Sequence, residues 1–173
     1  KRNADTVYHF LLPDKGMVDY KDRVVRQLAG EDIKKINNWR NSFTKEFSKN
    51  EIKTLQKLSD TIDKMWSKHT EQQRDMRERT TDVFVVWGQE QNSEIKDNTE
   101  TRWKDKVLEQ ELLSKKVRNS SPYCRLKLAM DYWCSLWFWP IEKADLLPSR
   151  DEYLRDLSLI LEGSPVEVMH GKG

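Results

Sequence analysis

The chain is poor in the residues that usually announce chemistry. It has two cysteines and three histidines in 173 residues. Cys124 and Cys134 lie ten positions apart in what reads as one helix, which would hold them about 15 Å apart on different faces. That separation excludes a disulfide between them, and two thiols that cannot pair fit a reducing, cytoplasmic compartment. They make no zinc site either, and His9, His69 and His170 show no paired ligand spacing, so no metal centre is expected. The six glycines never cluster into a loop that could cradle a phosphate or a dinucleotide. No Gly-x-Ser-x-Gly elbow occurs. No apolar run reaches the roughly 18 residues of a membrane span, and no secretory leader pattern is present.

Charge and aromatic rings fill the space these absences leave. Charged residues make up 35% of the chain and hydrophobic ones 36%, yet there are seven tryptophans. A compact sphere with so much charge is awkward, whereas long helices with one narrow apolar stripe suit it. Uniform disorder is excluded by runs such as "LWFW". The expected fold is mainly α, a long-helix bundle around an aromatic core. The formal net charge of only +2 rules out a polycation that coats nucleic acid over its whole surface.

Along the chain, "TVYHFLLP" (6–13) and "DVFVVWG" (82–88) are β-branched and aromatic, and predict short strands near 6–12 and 82–87. Residues 17–29 predict a short helix ending at Gly30. From Asp32, Ile33, Ile36, Trp39, Phe43 and Phe47 recur at helical spacing. Ser48 and Glu51 match a capping box opening the longest helix, over 50–79. In it Ile52, Leu55, Ser59, Ile62, Trp66, His69, Gln73 and Met76 fall on one heptad seam. The polar run 89–99 reads as a loop and boundary, separating an N-terminal region (1–88) from a three-helix region (100–163) and a tail (164–173).

The first C-terminal helix, about 100–117, is expected to bury Trp103, Val107, Leu108, Leu112 and Val117. Ser121 caps the second, with Pro122 at its first position. From Leu128 to Phe138 this helix is apolar on nearly every side and should be enclosed by its neighbours. Trp133, Trp137, Phe138 and Trp139 read as the hub on which the other helices converge, since each large ring buries 150–250 Å². An exposed docking surface is the rival reading of the same four residues. A second capping box, Ser149 to Glu152, opens a last helix that packs through Tyr153, Leu154, Leu157, Ile160 and Leu161 and ends before Gly163. The start without methionine and the open-ended C-terminus suggest a piece of something longer.

Candidate site residues come from charge. From Arg102 to Lys127 eight bases face three acids, and from Ser114 onward that stretch has no acid. Lys115, Lys116, Arg118, Arg125 and Lys127 are therefore candidates for contact with a DNA backbone, beside hydroxyls and a helix N-terminus. The bland alternative is a solvated face. Asp131, an acid among apolar neighbours, is expected to pair with a base rather than act as one. His69, on an apolar seam, reads as a core or interface residue. No catalytic residue is assigned.

Two stretches, "NADTVYHFLLPDKGMVDYKDRVVRQL" (3–28) and "SPYCRLKLAMDYWCSLWFWPIEKADLLPSRDEYLRDLSLILEG" (121–163), resemble a mostly helical region of very large bacterial DNA methyltransferases of the restriction-modification and phage-defence kind. Together they span 69 of the 173 residues. The resemblance implies a parent protein that uses S-adenosylmethionine to methylate adenine at N6, with double-stranded DNA and the parent's other domains as partners. Such enzymes need an Asn/Asp-Pro-Pro-aromatic motif, and no two of the five prolines here are adjacent. The resemblance therefore implies a non-catalytic accessory module with no cofactor of its own, one that positions DNA or a partner domain. A protein–protein module acting through the 50–79 helix is the alternative.

Overall fold

A computed structural model describes residues 2–3, 6–81, 101–109 and 121–163. The described residues form α1 (Arg23–Leu28), α2 (Gly30–Phe43), α3 (Lys49–Thr80), α4 (Thr101–Leu108), α5 (Pro122–Ser135) and α6 (Arg150–Glu162). Short 3-10 turns cover His9–Leu11 and Ile141–Leu146. No strand occurs among the described residues. Among them, too, no helix is long and apolar enough to cross a membrane.

The helix ends follow local chemistry. The Asp22 side chain accepts from the amides of Val24 and Val25 and opens α1. Ser48 and Glu51 form the reciprocal pair at the start of α3: the Ser48 amide donates to Glu51 Oε2 at 2.7 Å, and the Glu51 amide to Ser48 Oγ at 3.3 Å. Ser149 and Glu152 repeat this at α6. Ser121 Oγ accepts from the Cys124 amide at 3.2 Å, and Pro122 takes the first position of α5. α6 ends at Gly163, whose φ of −96° is ordinary. A Cβ there would lie 2.8 Å from the Leu159 carbonyl oxygen, so close approach rather than a left-handed turn calls for glycine.

The chain divides into two compact units, and both boundaries fall inside helices rather than in the polar 89–99 run. One unit comprises the residues up to Lys64 together with those from Arg125 onward; the other is Met65–Cys124.

In the first unit the core gathers on α6. Tyr153, Leu154, Leu157, Ile160 and Leu161 are all buried there. Tyr153 meets Phe43 and Tyr132 edge-on or tilted, each with ring centroids 5.3 Å apart. Its hydroxyl donates to the Phe10 carbonyl at 3.0 Å. Burial pushes both the Tyr153 and the Tyr132 hydroxyl well above the usual tyrosine range, and for Tyr132 the Asp156 carboxylate adds to the effect. Ile36, Leu55, Leu58, Ile62, Leu126, Ala129 and Leu136 complete the interior.

The segment expected to be a strand near 6–12 is instead extended backbone leading into a 3-10 turn at His9–Leu11. Of its side chains Phe10 and Leu11 are buried while Thr6 and His9 are exposed, and side chains rather than a ladder take its polar groups. The Tyr8 amide donates to Ser59 Oγ at 3.4 Å, Phe10 O accepts from Tyr153, and Leu12 O accepts from Trp133 Nε1 at 2.8 Å. A polypeptide can be satisfied this way without a neighbouring strand. The second expected strand, 82–87, lies outside the described residues, as do the polar 89–99 run and the tail.

One arginine fixes the α2–α3 corner. Arg150 donates to the Phe43 carbonyl at 2.8 and 3.0 Å and to Glu46 O at 3.0 Å, reaches Lys45 O and Ser42 O, and pairs with Glu51 at 3.4 Å. Its guanidinium also sits 4.7 Å from the centre of the Phe47 ring. These carbonyls belong to the end of α2 and the turn after it, where the helix itself supplies few donors. Val18, buried with φ at +50°, is a β-branched residue in a conformation such residues avoid. Arg40 donates to its carbonyl at 2.8 Å.

Candidate functional site

The expected tryptophan hub is only partly present. Trp133 is half-buried and meets Trp137 at 5.3 Å and His9 at 5.7 Å, both edge-on. Trp137 lies over Gly16, where an added Cβ would come within 2.9 Å of the ring. Trp139 donates to Lys143 O at 2.8 Å, while its own carbonyl accepts from the Tyr20 hydroxyl at 2.5 Å. Phe138, by contrast, is 83% exposed and is no part of a hub. The helix stops at Ser135, and the following turn aims this side chain outward. Nor is α5 enclosed on every side, for Tyr123, Leu128 and Met130 are exposed. The buried centre of this unit is Tyr153 with Phe43, and the tryptophans line its edge.

Of the five DNA-backbone candidates, Lys115, Lys116 and Arg118 lie outside the described residues. Arg125 is half-buried, with its Nε enclosed and no hydrogen-bond partner for that atom among the described residues. Lys127 is exposed and pairs with Asp131 one helical turn on. That pair accounts for Asp131, which is exposed on α5 and salt-bridged rather than set among apolar groups. It also offsets the charge that Lys127 would offer a phosphate. Among the described residues no group of acids, histidines and cysteines has the makings of a metal site.

The Met65–Cys124 unit holds a feature that charge counting missed. Trp66, His69 and Tyr123 form a row of rings. Trp66 and His69 centroids are 5.8 Å apart, tilted by 46°, and His69 stacks on Tyr123 at 5.4 Å and 30°. The outer two rings are 55% and 50% exposed. Beside Trp66 lies an open groove of about 420 Å³, lined by Trp66, Ser67, Thr70, Glu71 and Arg74. Arg74 pairs with Glu78 at 3.7 Å. Farther along α3, the Arg79 guanidinium stands 5.6 Å from the centre of Trp103 on α4, a ring that was expected to be buried and is 42% exposed. Heptad spacing placed Trp66 and His69 on one seam. Nothing in the order of residues paired His69 with Tyr123, which is 54 positions away.

This geometry bears on the seam as a docking surface. Position 69 is occupied by a ring of the same unit, and Arg79, beside Thr80 at the seam's end, is engaged with Trp103. What stays open is a half-exposed row of mutually tilted rings, with a polar groove beside Trp66. No protein-family model, curated protein or solved structure matches the chain.

Proposed function

We propose that the chain is a non-catalytic helical module of a large bacterial S-adenosylmethionine-dependent DNA adenine methyltransferase, and that it positions DNA for the parent protein. The observation that carries this reading is the stretch from Ser114 to Lys127, which has five bases and no acid. Tyr123, in a half-exposed row with Trp66 and His69, belongs to that stretch. A docking surface of rings next to basic chain is a common way to hold nucleic acid, and the resemblance of residues 3–28 and 121–163 points the same way. Phosphate contact falls chiefly to Lys115, Lys116 and Arg118, because Lys127 is paired with Asp131. The alternative, a coiled-coil partner along α3, is less well supported, since the His69 position of the seam is already filled.

Titration of the chain with duplex DNA across salt concentrations tests the reading. Binding should weaken steeply with salt, and charge reversal at Lys115, Lys116 and Arg118 together should lower the slope of log K against log salt by about three. Absence of binding at low salt, or binding indifferent to salt, removes the DNA role. Concentration-dependent self-association that is lost in Trp66→Glu would favour the coiled-coil alternative.

A further inference from the structure

We infer that the row Trp66–His69–Tyr123 is a base-stacking platform for unpaired nucleotides, so that within the DNA-positioning reading, on which this rests, the module prefers single-stranded to double-stranded DNA. Phosphate contacts alone do not distinguish the two strongly, but rings do. A base inside a duplex has both faces covered, whereas an unpaired base offers its face to any flat aromatic side chain. Two rings that are half-exposed and held in place by a third between them form such a surface. His69 contributes by fixing its neighbours: it packs against Trp66 from within α3 and stacks on Tyr123, which sits in the first turn of α5. The orientation of both outer rings is thereby set before any ligand arrives.

The adjoining groove suits a base edge. The Thr70 hydroxyl, donating to Trp66 O at 2.9 Å, can still accept, Arg74 keeps donors beside its Glu78 partner, and the Glu71 carboxylate accepts from ring or exocyclic N–H groups of a base. A carboxylate there disfavours phosphate. The groove beside Trp66 thus suits a base rather than a phosphate. A double helix cannot offer a base to it without opening.

The experiment compares a fluorescein-labelled 20-nucleotide single strand with the duplex of the same sequence, both at low salt. Anisotropy and tryptophan quenching are read for the 173-residue chain and for Trp66→Ala, Tyr123→Ala and Trp66→Phe. The single strand should bind about tenfold or more tighter than the duplex. Trp66→Ala and Tyr123→Ala should each weaken single-strand binding about tenfold, weaken duplex binding far less, and in the first case remove most of the quenching. Trp66→Phe should restore most of the affinity. Equal affinity for single strand and duplex, or a single-strand affinity unmoved by Trp66→Ala, overturns the platform while leaving salt-dependent duplex binding, and with it the proposed function, in place. Failure of both nucleic acids to bind overturns both.

Discussion

The two halves of α3 share one helix, one seam and nearly one composition, yet they are used differently. In the first half Leu55, Leu58, Ser59 and Ile62 are buried, and even the Ser59 hydroxyl is enclosed, bonded to Leu55 O at 2.8 Å. In the second half no residue is buried. Ile62 is 3% exposed and Trp66, one turn on at the next seam position, is 55% exposed. Periodicity marks which face of a helix is apolar, but not which part of that face finds a partner. An indole left half in water contributes less to folding than a buried one.

Substitutions that break this contrast should differ most at its two sides. Ile62→Ala removes a buried branched side chain and should cost about 2–5 kcal/mol in urea unfolding. A cost near zero would mean that the first half is no better packed than the second. Arg150→Ala unties four carbonyls and Glu51 at the corner where α3 begins, and should cost about 2–3 kcal/mol; Arg150→Lys should rescue only part, since one ammonium cannot reproduce the fork.

Acid should act on the first half as well. The Tyr8 hydroxyl, donating at 2.8 Å, and then the Arg2 guanidinium hold the Asp63 carboxyl below its usual range against some desolvation. A depressed folded-state value stabilises the fold above the unfolded carboxylate range, near pH 4, and the stabilisation is lost as pH falls through the folded value. The melting temperature should therefore drop below about pH 4, and the gap between the native chain and Asp63→Asn should close there. The smallest effect is expected in the second half: Trp66→Ala should shift stability by less than about 0.5 kcal/mol, and a large loss would show Trp66 to be a core residue after all.

Much of the helical plan was readable from the order of residues, because caps and stripes are local. The boxes at Ser48–Glu51 and Ser149–Glu152, proline at the start of α5, and the five-residue face of α6 needed only neighbours within a turn or two. Errors arose where distant groups decide. Residues 6–12 have a strand's composition, but whether a strand forms depends on a partner edge, and here side chains from α3, α5 and α6 took its polar groups. The tryptophan count overrated 133–139, because ring size signals potential burial while the turn after Ser135 sets direction, and it left Phe138 outside. Lys127 and Asp131 were each legible, and their spacing of four could have revealed the pair. The Trp66–His69–Tyr123 row was not legible, since it joins residues from two helices far apart in the chain.

Tyr153 and Arg150 both reach back across the chain, the first to Phe10 over 143 positions and the second to Phe43 over 107. Loop closure on that scale is slow, and during synthesis the groups it needs emerge well after the segments they join. Until α6 leaves the ribosome, the 3-10 turn at His9–Leu11 lacks its hydroxyl donor and the α2–α3 corner lacks its cation. Nascent chains cut short before Arg150 should hence stay open to protease around residues 43–48, and α6 sets the moment at which α2 and the start of α3 become permanent.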